Sequence, residues 1–408
     1  MYGLLQGLHV VEGAAFVAAP SCGLYLAQMG AEVIRFDNIG GGPDFRRWPL
    51  AANGASLYWE GLNKGKKSVA LDLGRPEGRE IAQALATAPG DDRGLFVTNF
   101  PAEGFLGYER LAKRRADLIC VRVMGWADGG QGMDYSINAA LGVPLMTGRP
   151  DDPRPVNHTL PAWDLLTGAY AAFGLTSALL ARHRDGRGRE IRVPLSDVGA
   201  ASLANLGMVA ETLLQGHQRP QMGNDLYGGF GRDFETADKQ RLMLVALTPA
   251  QWSKALIALD LGPQVATLEA ELGVSFARDE GVRFTHRARL YPLFERAIAA
   301  RSVGELGPAL DAAGITWGRY QPLEMALSDR RLFDGNPLFQ QVEQPSGVAY
   351  PSPGAMGTIP QDQRGPVQPA PRLGQHTDEV LADLLGLSGA EIGALHDTGV
   401  VAGPMEPA

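Results

Sequence analysis

Through the first 125 positions, short β-branched apolar runs alternate with stretches whose apolar residues recur every three or four positions. The runs at 9–11, 31–36, 68–72, 95–98 and 118–123 read as strands. The stretches at 20–29, with Pro20 in the first turn, and at 76–88 read as helices. Strands separated by helices pair in parallel, and the helices then cover both faces of the sheet. Two long, weakly charged helices follow at 161–183 and 196–214, with a strand at 190–195 between them. Helices this apolar need cover on most sides, from the rest of the chain or from a second copy. Residues 165–181 hold no charge between Asp164 and Arg182. A bilayer span needs about 20 mainly apolar residues. This stretch is shorter and diluted by Thr, Gly and Ser, so a core helix is expected and no membrane partner.

The texture changes near Gly223, where the glycine-rich loop 223–231 precedes a strand at 242–247 and helices near 249–259 and 287–301. Residues 336–372, rich in Pro, Gly and Gln, read as a long extended crossing segment. Two helices, 377–385 and 388–396, close the chain. The expected fold class is α/β. A Rossmann-like parallel-sheet large domain covers 1–224 and a smaller domain covers 225–330. Residues 331–408 cross over and return to the large domain.

At 408 residues with 45% hydrophobic positions, the chain can bury a large core in two or three domains. A net charge of −8 argues against a nucleic-acid partner. Against that balance, Arg46, Arg47, Lys64, Lys66 and Lys67 face only Glu60 in their stretch, which reads as a solvated basic edge or as a place for an anionic small molecule to dock. Two cysteines, Cys22 and Cys120, make no disulfide framework and fit a reducing cytoplasm. The first residues lack a basic segment followed by an apolar run, so no export signal is read.

Several chemistries are disfavoured. The first β–α turn, 12–20, has one glycine and lacks the G-x-G-x-x-G of a dinucleotide site. The seven histidines form no H-x-x-x-H, so no metal is expected, and no G-x-S-x-G elbow occurs. Cys22 lies in the first turns of a helix, where a thiol can be activated, yet a buried inert cysteine is the plainer reading. Asp164 lies in the first turn of the apolar helix, where the helix dipole favours an ionised carboxylate. A carboxylate can attack an activated acyl group. Acids at helix starts are common, so position alone does not make Asp164 a nucleophile.

Segments 7–12 (GLHVVE), 18–20 (AAP) with 26–34 (LAQMGAEVI), 40–46 (GGGPDFR), 62–68 (LNKGKKS) with Leu71-Asp72, Asn99-Phe100 and 370–381 (APRLGQHTDEVL) span the chain in one order. In that order they resemble the class III CoA-transferases, the family that includes formyl-CoA transferase, carnitine CoA-transferase and α-methylacyl-CoA racemase. The resemblance implies that Asp164, opening the D-x-x-x-G pattern that ends at Gly168, is the nucleophile. It implies CoA contacts from Asn38, Arg46, Asn63, Lys66, Lys67, Asn99 and Phe100, and a mobile glycine loop at Gly228, Gly229 and Gly231 that covers the site. No cofactor is implied, because the acyl-CoA thioester is itself the substrate. The family's large domain is split, its small domain is α+β, and two chains interlock as rings in a homodimer.

The departures carry information. Where racemase members place a histidine in G-H-D, this chain has Gly132-Met133-Asp134, and methionine takes no proton. Where formyl-CoA-type members carry a glutamine, 14–20 is wholly apolar, which suits a methyl-bearing acyl chain. Segments 16–20, 99–102, 160–164, 229–236 and 367–374 narrow the resemblance to an intramolecular branch that moves CoA between the C1 and C4 carboxyls of mesaconate. Phe16, Val17, Trp126 and Arg122 are then expected at the substrate pocket, with His158 and Arg232 also near the motifs. The alternatives are an intermolecular transferase using two separate acids, and a nucleotide-binding oxidoreductase or inert acyl-CoA binder.

Overall fold

The computed structural model describes residues 1–405. The chain divides into two compact units. The larger comprises Met1–Leu141, His158–Leu214 and the chain from Gly335 onward; the smaller comprises Gly142–Asn157 and Gln215–Asp334. The boundary therefore falls at Leu214 rather than after 224, and 142–157 lies outside the larger unit. The reason is local pairing. Gly223 N donates to Gly148 O at 2.7 Å, and Gln221 Nε2 donates to the carbonyls of Thr147 and Arg154 at 2.9 and 3.0 Å.

In the larger unit, β1 (His9–Gly13), α1 (Ala18–Gln28), β2 (Glu32–Asn38), α2 (Leu57–Asn63), β3 (Lys67–Leu71), α3 (Pro76–Ala86), β4 (Leu95–Thr98), α4 (Tyr108–Arg114), β5 (Ile119–Met124), α5 (Asp134–Ala140), α6 (Ala162–Asp185) and β6 (Arg189–Pro194) follow in turn. Helices α7 (Leu195–Asn205) and α8 (Met208–Gln215) come next; the single helix expected over 196–214 is broken where Gly207 takes φ +77. The smaller unit pairs β7 (Gly231–Glu235), β8 (Arg241–Val245) and β9 (Thr316–Arg319) as an antiparallel sheet. Helices α9 (Pro249–Ala258), α10 (Gly262–Leu272), α11 (Glu280–Thr285), α12 (Arg287–Ala299), α13 (Val303–Ala313) and α14 (Leu323–Ala326) accompany it. The returning segment is not simply extended: β10 (Phe339–Glu343) and β11 (Ala349–Pro353) form an antiparallel hairpin. Helices α15 (Thr377–Leu385) and α16 (Gly389–Asp397) and the short β12 (Val401–Ala402) end it.

Among the described residues, the large sheet runs β12-β3-β2-β1-β4-β5-β6. The other six strands, β3 to β6 in that order, are parallel, and β12 adds an antiparallel edge, so the sheet is mixed rather than wholly parallel. Period-two alternation splits the strand side chains between two cores. Val10, Val33, Val97 and Val121 pack under α1 and α6. Val11, Ile34, Phe96 and Cys120 pack under α3, α4, α15 and α16.

Helix α6 is long and apolar enough to cross a membrane by length and composition. One side of it, with Gly168, Ala171, Leu175 and Leu179, is buried on this sheet. Its other side exposes Leu166, Tyr170, Phe173 and Leu180, and α7–α8 expose Leu206, Leu213 and Leu214. Burial on most sides is thus not achieved within one copy of the chain.

Candidate active site

The parallel strands set where α1 and α6 begin. Each helix leads from a carboxyl strand end to an amino one, so both start at the carboxyl edge of the sheet, where open α/β folds bind ligands. The far end of α6 is fixed at the opposite edge, where Arg182 donates to the carbonyls of Asp91 and Arg93 at 2.9 Å. The two helices approach closely because residue 168 is glycine. A Cβ there would meet Ala18 O at 2.6 Å and Ser21 Cβ at 2.8 Å. Asp164, one turn earlier, therefore stands level with the turn that leads into α1.

That turn is tightly held. Ala15 is clamped by Asn99, whose Oδ1 accepts from Ala15 N at 3.1 Å and whose Nδ2 donates to Ala15 O at 2.8 Å. Phe16 takes φ +71, a conformation that disfavours a β-carbon. Its N–H donates to Asp44 Oδ2 at 3.2 Å. Asp44 is buried and accepts from Arg35 at 3.0 Å. Arg35 also binds Asp37 at 2.8 Å, Asn63 at 3.2 Å and Glu12 at 3.5 Å. Lys66 completes this buried set, reaching Glu12 at 2.8 Å, Pro20 O at 2.9 Å and Asn63 at 3.1 Å. The set fits beneath α1 because Gly23 has no side chain to collide with Glu12.

Asp134, the first residue of α5, caps α6. Its Oδ2 accepts from Trp163 N at 2.7 Å and Asp164 N at 3.1 Å, and its Oδ1 lies 2.7 Å from His158 Nε2. The dipole end of α6 is thus already occupied by a carboxylate. Burial, reinforced by the Asp134 charge and opposed by Arg47, pushes the half-buried Asp164 carboxyl up to about 7. This reverses the expectation of a dipole-ionised acid: desolvation and a like charge outweigh the helix terminus. A carboxyl poised near neutrality can be ionised as a nucleophile and leave as a carboxylate in the same cycle.

The expected residues distribute unevenly. Val17 is buried and Phe16 partly exposed, and Asn99 holds their turn through Ala15. Phe100 packs edge-on against Phe105. Asn63 and Lys66 are buried within the Glu12–Arg35 network, so they position the turn rather than face a ligand. Lys67 pairs with Glu32 at 2.7 Å and Glu379 at 2.8 Å. Asn38 accepts from Leu73 N at 3.1 Å. Arg46 lines a separate cleft with Phe45, Trp59, Pro371 and Leu373. Arg122 cannot line a pocket: it is 1% exposed, donating to the carbonyls of Phe100, Pro101 and Leu106 and to Glu190. Trp126 lies over a 380 Å³ hollow between α5 and α7, away from the Phe16 turn. Cys22 is buried, and desolvation pushes its thiol up rather than down.

Gly228, Gly229 and Gly231 belong to the smaller unit. Gly228 takes φ +79, and a Cβ on Gly229 would meet Leu247 at 2.7 Å. Gly231 is already the first residue of β7, with its carbonyl accepting from Leu226 N at 2.8 Å, so any mobile loop stops before it. Arg232 pairs with Asp225 and Glu295 within the same unit.

The sequence marked Arg47 only as part of a basic stretch, and gave no role to Tyr58, to Asp44 or to Asp134 as a cap. The guanidinium of Arg47 lies 5.7 Å from the Phe16 ring and 5.3 Å from the Tyr58 ring. The segment 40–47 (GGGPDFRR) resembles the family's G-x-G-D-x-x-R turn with one inserted residue, and the turn leads to Arg46 when counted from the glycines and to Arg47 when counted from Asp44. The observed Phe16 contact favours the second count.

A family model described as CoA-transferase family III matches residues 5–377. The chain belongs to that family. It is a class III CoA-transferase-type enzyme acting on acyl-CoA. It is 48% identical over 406 residues to the 2-methylfumaryl-CoA isomerase of Chloroflexus aurantiacus, covering 99% of both chains. It is 30% identical to that organism's succinyl-CoA–D-citramalate CoA-transferase, over 97% of this chain and 98% of the relative. A crystal structure of a CAIB/BAIF family protein from Brucella suis superposes with a TM-score of 0.75 at 25% identity, covering 93% of this chain and 99% of that one. A family III CoA-transferase has no use for the dinucleotide fingerprint that the first turn lacks, which answers the oxidoreductase alternative.

Proposed function

We propose that this family III CoA-transferase is a 2-methylfumaryl-CoA isomerase, moving CoA between the C1 and C4 carboxyls of mesaconate through Asp164. The observation that carries the reading is the near-neutral, half-buried Asp164 carboxyl at the carboxyl edge of the sheet, in a chain 48% identical over its length to an enzyme of that name. The Asp164 carboxylate attacks the C1 thioester carbon; the C–S bond breaks, leaving a mixed anhydride and CoA thiolate. The thiolate attacks the aspartyl carbonyl; the anhydride C–O bond breaks, giving an aspartyl-CoA thioester and mesaconate with both carboxylates free. The C4 carboxylate then attacks the aspartyl thioester carbonyl; the C–S bond breaks, giving a second mixed anhydride and free CoA thiolate. Thiolate attack at C4 releases Asp164. No net proton or electron is consumed.

The apolar turn at 14–17 suits the methyl group, and Met133, 56% exposed beside the Asp134 cap, provides no base for α-proton exchange. The exposed apolar side of α6 to α8 is assigned to a second copy of the chain in an interlocked dimer, since a patch this apolar needs cover. Free, buried Cys22 and Cys120 fit a cytoplasmic setting.

The competing reading, transfer between two separate acids, is favoured by the 30% identical citramalate CoA-transferase. Incubation with mesaconyl-C1-CoA and isotope-labelled free mesaconate separates the two. The isomerase reading predicts C4-CoA product without label; label in the thioester sinks it.

A further inference from the structure

The cations of the larger unit near the Phe16 turn are mostly engaged. Arg35 is bound by Asp37, Asp44 and Glu12, and Lys66 by Glu12. Lys64 is buried with its ammonium on the Gly61 carbonyl. Arg46 and Arg47 differ, since no ion pair engages either guanidinium among the described residues, and of the two it is Arg47 that stands by the Phe16 ring. The Arg47 backbone is held in place. Its carbonyl accepts from the buried Ser56 hydroxyl at 2.5 Å, and its N–H donates to Asp44 O at 3.2 Å. Its guanidinium stands by the rings of Phe16 and Tyr58. The Tyr58 hydroxyl is buried and makes no hydrogen bond to protein at 3.5 Å or less. An exposed guanidinium beside two rings and a buried phenol oxygen, with no ion pair among the described residues, is placed to receive a planar anion.

We infer that Arg47, supported by the Tyr58 hydroxyl, binds the free carboxylate of the acyl group and so selects CoA esters of dicarboxylic acids. The assignment rests on the transfer reading above and gives that reading its substrate grip. While one carboxyl is bonded at Asp164, the other lies on Arg47. Once CoA is on Asp164, the freed acid stays bound to the protein through Arg47 and can present its second carboxylate without dissociating. Asp164 stands level with the Phe16 turn that Arg47 flanks, and its carboxyl feels Arg47, whose charge opposes the rise that burial causes. This is a positioning and specificity role; Arg47 forms no covalent bond.

The test measures binding without chemistry. In Asp164→Ala protein, the affinities of mesaconyl-C1-CoA and of the neutral crotonyl-CoA are compared with and without Arg47→Met. Loss of one charged hydrogen-bonded contact predicts roughly 10- to 100-fold weaker mesaconyl-CoA binding. Crotonyl-CoA and free CoA should change by less than about 3-fold, and Arg47→Lys should recover part of the loss. Equal weakening of both esters and of CoA would overturn the assignment in favour of a CoA-phosphate contact. No change for either ester would overturn it outright. Wild-type protein incubated with mesaconyl-CoA provides the separate control: absence of any Asp164 adduct sinks the transfer reading itself, whatever these affinities show.

Discussion

Replacing Asp164 by Asn should abolish transfer and stabilise the fold in alkaline solution. Moving this carboxyl from its usual 3.8 to about 7 disfavours the charged form in the folded chain by about 4 kcal/mol. Solvent reaches one side of the half-buried group, and screening reduces this to about 2 kcal/mol. The sign follows from proton binding. Between pH 3.8 and 7 the folded chain holds a proton that the unfolded chain has lost, so stability falls as pH rises across that window. Above pH 7 both states are ionised and the full penalty remains; below 3.8 both are protonated and none is felt. Asn keeps the shape and removes the charge. Urea unfolding at pH 8, at matched protein concentration, should show Asp164→Asn more stable by about 2 kcal/mol, against little difference near pH 4. A variant that is equally or less stable at pH 8 would refute the claim that the nucleophile is held at an electrostatic cost.

Other expectations follow from the same geometry. For wild-type protein, the rate of acylation from free enzyme should rise with pH through about 7 and fall about tenfold per pH unit below it, read from a kcat/KM profile. Asp134→Asn removes the like charge beside Asp164, so the acid limb of that profile should move to lower pH, while loss of a full carboxylate cap lowers stability by about 0.5–2 kcal/mol. Gly168→Ala places a methyl against Ala18 O and Ser21, pushing α6 from α1; about 1–3 kcal/mol of stability and most of the activity should be lost, measured by denaturation and turnover. Glu12→Gln leaves Lys66 and Arg35 short of a buried counter-charge and should cost about 3–5 kcal/mol in the same unfolding assay.

Much of the fold could be read from the chain, because β-branched runs and helical periodicity report one-sided burial directly. Strands β1 to β6 and the long helix α6 were visible in this way. The β10–β11 hairpin was not, since Pro351 and Pro353 obscure the alternation and its partner strand is largely polar. The tie between 142–157 and the chain after Leu214 depends on side-chain amides of Gln221, which leave no periodic signal. At the site, Asp164 was marked by its motif, but its near-neutral carboxyl was not, because that depends first on burial and then on Asp134, 30 positions away. Lys66 and Asn63 looked like anion contacts because sequence cannot show that Glu12 and Arg35 enclose them. Arg47 was hidden by one inserted residue in the glycine turn.

The central claim is a covalent intermediate on Asp164. Quenching a turning-over mixture of wild-type protein and mesaconyl-C1-CoA, reducing or trapping with hydroxylamine, and mapping peptides by mass spectrometry tests it most directly. The account predicts an aspartyl adduct on Asp164, lost in Asp164→Asn. Product formation with Asp164 unmodified throughout, or full activity in Asp164→Ala, would contradict it.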